Sequence, residues 1–219
     1  MKIFSIKTIP IASWSSDHAL NLRPRILTLY ILCLGLTLFG IGDSLLIASG
    51  AGNSPWTVLS QGLSRMSGLS IGVTTFLTSL AVLFFWIPLK QRPGIGTILN
   101  VVIISIAIEI FLPYLQQPDS YTLQVVEAGL GILLVGFGSG LYLIANLGAG
   151  PRDGLMTGLQ RVTNLPVARV RTAIEVAVVF FGWLIGGTIG LGTLMFAFGI
   201  GPAVSMGLYL VNCFSTRST

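Results

Sequence analysis

Arg152 and Asp153 stand side by side in the stretch Gly150-Pro151-Arg152-Asp153-Gly154, between two long apolar runs. Further on, Arg171 and Glu175 are spaced i, i+4 inside another apolar run, a spacing that puts both on one helix face. Charged pairs in so apolar a setting bind an ion, carry a proton, or neutralise each other. Pro151 suits the first position of a helix, where its missing N–H costs nothing, and Asp153 falls in the first turn, where the helix dipole favours an anion. A helix starting there leaves several N–H groups unpartnered beside the Arg152 guanidinium, which is the chemistry of an anion site. The structural alternative is an Arg152–Asp153 pair that pins a turn at the membrane rim. Glu175 lies about nine residues into its run, near mid-depth at ~1.5 Å per residue, where a carboxyl is costly and points to function. It is read as a coupling or ligand-pairing acid whose charge Arg171 sets, against the alternative of a purely structural Arg171–Glu175 pair. Asp43, Glu109 and Asn100 are weaker intramembrane polar candidates.

Other chemistries find no residues to carry them. Gly40-Ile-Gly42-Asp43 has the form of an intramembrane aspartyl protease motif, but Asp17, Asp119 and Asp153 fall in loops or the tail and leave no second membrane aspartate to share the proton. His18 is the single histidine, so neither a metal site nor histidine catalysis is expected. No nucleotide loop is present, no cofactor is expected, and the chain is not read as an enzyme. Cys33 and Cys213 are expected to be unpaired thiols.

The elements that hold these residues follow from composition. The chain has 219 residues, 53% of them hydrophobic and 9% charged, against about 25% charged in a soluble domain. Such a chain lacks the polar surface to cover a water-facing globule. Apolar windows predict spans near 26–48, 70–89, 94–114, 122–147, 167–186 and 190–211, each long enough to cross a core of about 30 Å as helix. Segments 55–66 and 151–163 are about a dozen residues, or roughly 18 Å, and are expected to dip in without crossing. With six spans and both termini inside, Lys2, Lys7, Arg23, Arg25, Lys90, Arg92, Arg152, Arg161, Arg169, Arg171 and Arg217 are cytoplasmic and only Arg65 is outside. That loop topology, not nucleic acid, accounts for the net charge of +5.

The chain also resembles itself. Arg92-Pro-Gly94-Ile-Gly96-Thr97-Ile aligns with Thr188-Ile-Gly190-Leu-Gly192-Thr193-Leu at a spacing of ninety-six, as do Phe84-Phe85 with Phe180-Phe181 and Arg65 with Arg161. Gly50-Ala51-Gly52 aligns with Gly148-Ala149-Gly150 if Asn53-Ser54 is an insertion. Three spans per copy is an odd number, so the copies are expected to be inverted, as in many secondary transporters with a site where the repeats meet. By that symmetry Ser54, Trp56 and Gln61 are expected to be the outer counterpart of Arg152 and the helix start at 151–154. The small-residue spacing of Gly136, Gly140, Gly182, Gly186 and Gly190 reads as helix packing.

The stretches Pro55–Ser64 (PWTVLSQGLS), Gly150–Leu159 (GPRDGLMTGL), Arg171–Glu175 (RTAIE) and Gly186–Thr193 (GGTIGLGT) resemble the YczE-like bacterial integral membrane proteins and, more distantly, the YitT family, over roughly residues 28–212. The resemblance implies a bacterial inner-membrane protein and brings no substrate with it. The expectation is thus an all-α polytopic membrane protein, six transmembrane helices as two inverted three-helix repeats, each with a short non-spanning helix. Residues 1–24 form a cytoplasmic tail, 25–115 repeat 1 and 122–212 repeat 2. It sits in the bilayer and passes a small, anionic solute. The rival expectation is an accessory protein that binds an unknown partner, with Trp14, Arg23 and Arg25 of the tail as its patch.

Overall fold

The computed structural model describes residues 12–216, with side chains to Val211. Lys2, Lys7 and Arg217 lie outside the described residues, as does the Cys213 side chain. Eight α-helices follow one another: α1 (Ile26–Ser49), α2 (Pro55–Ser67), α3 (Ile71–Trp86), α4 (Ile95–Phe111, prolonged by a 3-10 turn over Leu112–Tyr114), α5 (Tyr121–Ala145), α6 (Pro151–Thr163), α7 (Val167–Leu184) and α8 (Leu191–Thr216). The apolar windows and both short segments fall on these helices. Four helices are long and apolar enough to cross a membrane: α1, α4 with its extension, α5 and α8. α2 and α3 meet that measure only as a pair bent by 116°. α7 carries Arg169, Arg171 and Glu175 within 18 residues, too polar to meet it alone.

Glycines set how closely the long helices approach. α1 and α5 run antiparallel through two crossings. A Cβ at Gly138 would sit 2.5 Å from the Gly35 oxygen, and one at Gly131 would sit 2.7 Å from that of Gly42. α4 lies on α1 with Gly40 against Ala107, and α8 lies on α5 with Gly136 against Ala203, the same contact ninety-six residues later. Gly138→Val is expected to destabilise the fold by about 3 kcal/mol, because neither backbone can retreat from the added methyls. Unfolding in mild detergent, followed by loss of helical signal, measures it.

The recurrence extends to the backbone. The described positive-φ residues fall into four pairs at that spacing: Gly50 with Asn146, Gly52 with Gly148, Gly68 with Asn164, and Lys90 with Gly186. Gly52 (φ 121°) and Gly148 (φ 120°) adopt one left-handed geometry. The Gly96 N–H donates to the Leu147 oxygen at 2.7 Å, and the Gly192 N–H donates to the Ala51 oxygen at 2.8 Å. Spacing ninety-six therefore holds through the loop. The expected insertion at Asn53-Ser54 is corrected, since Gly52 rather than Gly50 is the counterpart of Gly148.

One seam does not recur at that spacing. α3 lies along α4, with Gly72 against the Ser105 oxygen and the Ser70 hydroxyl donating to Glu109. At the matching positions Ala168 is exposed, and nothing lies within 4 Å of where a Gly201 Cβ would be. α7 packs on α2 and α6 instead, Gly182 meeting Val58 and Leu59.

The tail is not free from residue 12 onward. Trp14 is buried in the core with Leu32, Leu141 and Leu208. The Ser16 N–H donates to the Ala145 oxygen, the Thr28 hydroxyl to the Trp14 oxygen, and Arg25 to the Ser13 oxygen. A partner patch built on Trp14 is therefore corrected: its ring is spent inside the protein.

Candidate functional site

A cavity of about 280 Å³ lies where all eight helices meet. The starts of the two short helices converge on it. Pro55 and Pro151 each occupy a first helical position, so Trp56 and Arg152 are equivalent second residues. The Arg152 guanidinium carbon lies 5.5 Å from the centroid of the Trp56 ring. A cation over an indole face contributes about 0.5–2 kcal/mol, more as water is excluded.

Three bonds hold α6 in place. The Trp86 indole N–H donates to the Pro151 oxygen at 2.9 Å, and the Thr97 hydroxyl to the Ala149 oxygen at 2.7 Å. The Tyr142 hydroxyl donates to Asp153 Oδ2 at 2.7 Å. Gly154 lies under the Trp86 ring, where no side chain fits. Gly150 is where polar groups gather: a Cβ there would be 3.2 Å from Asp153 Oδ2, 3.4 Å from the Tyr142 hydroxyl and 3.5 Å from Asn100 Nδ2.

The Arg152–Asp153 rim pair is not formed, because Asp153 is taken by Tyr142 and the guanidinium is turned onto Trp56. Arg152 makes no hydrogen bond or ion pair among the described residues. It is half-buried and lines the cavity, with Asp43, Asp153, Tyr142 and Glu175 in electrostatic reach. Its guanidinium carries five N–H donors, and no described protein group accepts from them. The cavity is where an acceptor would meet them. Trp56 Nε1 and Thr75 Oγ1 are further buried polar atoms without a partner on lining residues.

Arg171 and Glu175 line the cavity and pair with each other, Nε to Oε1 at 2.9 Å, with side chains 49% and 23% exposed. Asn100 also lines it. The remaining expected residues do other work. The Ser54 hydroxyl bonds Thr57 at 2.7 Å and caps no backbone N–H. Gln61 Oε1 accepts from Asn53 Nδ2 at 2.9 Å and from the Thr188 N–H at 2.7 Å, tying α2 to the loop before α8. Neither lines the cavity, so the outer counterpart reduces to Pro55 and Trp56. Glu109 belongs to the α3–α4 seam through Ser70. Asp43 is 1% exposed, and neither of its oxygens has a partner among the described residues.

Residue types alone did not reveal Tyr142, Ser139, Thr75, Ser79, Phe39 or Phe196, which also line the cavity. The repeat spacing did contain part of that signal. Adding ninety-six to Thr75, Ser79 and Asn100 gives Arg171, Glu175 and Phe196, all of them lining.

Comparison with known proteins places the chain in a family. The family of unknown function DUF6198 matches residues 26–207. An uncharacterized protein of Haemophilus influenzae is 41% identical over 206 residues, 94% of each chain. The uncharacterized membrane protein YczE of Bacillus subtilis is 37% identical over 74% of this chain and 77% of its own. The uncharacterized protein YyaS of the same organism is 27% identical over 74% of this chain and 83% of its own. No solved structure matches.

Proposed function

The chain belongs to the DUF6198 family of membrane proteins, and from that premise we propose that it is a small transporter whose solute site is the central cavity. The observation that carries this reading is the Arg152 guanidinium, without hydrogen bond or ion pair among the described residues, where two short helices meet inside a space lined by every described helix. Half-helix starts that point at an anionic group are the device of many transporters built from inverted repeats. The recurrence at spacing ninety-six supports two inverted halves, with α3 and α7 completing six crossings in spite of their short or polar character. The basic loops support a cytoplasmic-membrane protein with both termini inside. Residues 25–115 and 122–212 are the halves, and the tail folds against them.

In this reading Arg152 takes the anionic group of a small solute, with Asn100 and the α6 start beside it. Trp56 and Pro151 shape that contact. Asp153, held by Tyr142, orients the helix start, and no reaction step or cofactor is assigned. Arg171 and Glu175 form an exchangeable pair at the cavity wall, which must part and re-form as α7 moves. The α7–α8 seam is open here while the α3–α4 seam is shut, the asymmetry expected of one access state.

The test is flux in reconstituted vesicles across a panel of small carboxylates and phosphates. Glu175→Gln keeps size and shape but removes the charge that Arg171 needs. It is expected to slow uptake about tenfold, the scale of about 1.4 kcal/mol for a partly exposed pair. Glu175→Gln flux equal to native would remove the pair from the mechanism. Native protein that moves nothing while a stoichiometric protein partner co-purifies would favour the accessory reading.

A further inference from the structure

The Asp43 carboxyl is the most secluded charge-bearing group in the described structure, and no assignment so far uses it. It sits on α1 one turn beyond Phe39, which lines the cavity. Its counterpart at spacing ninety-six is Ser139, also a lining residue. Asp43 thus stands on the cavity side of α1, just behind the lining, with both oxygens lacking a donor among the described residues. A carboxylate so placed loses its hydration and gains nothing in return. Either a proton or a cation must neutralise it.

Two described cations line the cavity, Arg152 and Arg171, and Arg171 is already paired with Glu175. α5 brings Tyr142, which donates to Asp153, and Glu127, nearer the start of that helix. α4 brings Glu109, which accepts from Ser70, and the 3-10 turn brings the exposed Tyr114. α8 meets this stretch with Phe196 and Ile200. Tyr30 and Cys33 share α1 with Asp43 but lie toward its start. Arg152 lines the same cavity as Phe39 and Ser139, and it has no ion pair among the described residues.

We infer that Asp43 is a proton-binding site that decides where the Arg152 guanidinium lies. With the proton on Asp43, the guanidinium rests on Trp56 and is open to an anionic group. When the carboxyl O–H bond breaks, the proton leaves on cavity water and the electron pair stays on the carboxylate. The guanidinium then leaves Trp56 to neutralise Asp43. Proton and anion binding thereby become coupled: a solute anion competes with the Asp43 carboxylate for Arg152, and protonation removes that competitor. By linkage, each ligand raises affinity for the other by the same factor. This inference deepens the transport reading and rests on the cavity as its site.

The experiment needs no solute and no flux, so its failure is separate from failure of the transport reading. The full chain in lipid nanodiscs is titrated from about pH 5 to about pH 9 by infrared difference spectroscopy of protonated carboxyl groups. The emission of Trp56 is read as the difference between the native protein and Trp56→Phe. The expected result is loss of one carboxylic-acid band as pH rises, with a change in Trp56 emission over the same range. Asp43→Asn abolishes both. Arg152→Gln, measured by the infrared band on a chain with its tryptophans intact, keeps the band to higher pH, because the charge that favours the carboxylate is gone. A titrating acid band that persists in Asp43→Asn, or a Trp56 response unchanged by that substitution, would overturn the inference. So would an Arg152→Gln band that titrates as in the native protein.

Discussion

Arg152→Gln is expected to weaken the apparent affinity for an anionic solute, read from the concentration dependence of vesicle uptake, by roughly a hundredfold or more. That corresponds to about 3 kcal/mol, the usual scale when one partner of a buried charge pair is removed. The size of the effect follows from the setting. No described protein group bonds the guanidinium, so its donors are unspent until an acceptor enters the cavity. Glutamine keeps a polar tip but supplies neither the charge nor the planar fork. Arg152→Lys restores the charge as a point that cannot lie flat on Trp56, and it is expected to recover only part of the loss. Trp56→Phe keeps a ring with a weaker face and is expected to cost less than either. Native affinity in Arg152→Gln would place the solute elsewhere.

The helices were legible in the sequence because their signal is local. Runs of apolar residues, a proline at the first turn of α2 and α6, and small residues at the crossings each act within a few positions. The site was only half legible. Arg152, Asp153, Arg171, Glu175 and Asn100 stand out as polar residues in apolar runs, and all five line the cavity. Which of them pair is a tertiary matter. Asp153 is claimed by Tyr142, whose register on α5 is set by the crossing of Gly138 over Gly35. Ser54 and Gln61 looked like lining residues by symmetry, yet each is satisfied next to α2, one by Thr57 and the other by Asn53 and Thr188. The isolation of Asp43 was invisible because it depends on what is missing around it. The stacking of Arg152 on Trp56 was derivable in principle. Trp56 and Arg152 lie ninety-six residues apart, and each is the second residue of its short helix.

A cysteine pair at Ala168→Cys and Ser205→Cys, in a chain with Cys33 and Cys213 replaced by Ser, is expected to form a disulfide under mild oxidation and to stop solute flux. In the structure α7 packs on α2 and α6 rather than along α8, and Gly201 faces open space. The matching residues of the first half, Gly72 and Glu109, touch across the closed α3–α4 seam. If the halves exchange conformations, α7 closes on α8 as α3 now closes on α4, and Ala168 meets Ser205 as Gly72 meets Glu109. A disulfide needs Cα atoms about 4.4–6.8 Å apart, so it reports that approach and little else. It also accumulates a state present at only about 1% of the population, because each closure is captured. The control is Ser70→Cys with Glu109→Cys, whose native side chains are in contact now and which is expected to crosslink at once. Rapid formation of the control bond with none between positions 168 and 205 would mean that the open seam is permanent. The cavity would then have a fixed side entrance, and the exchange of access on which transport depends would be lost.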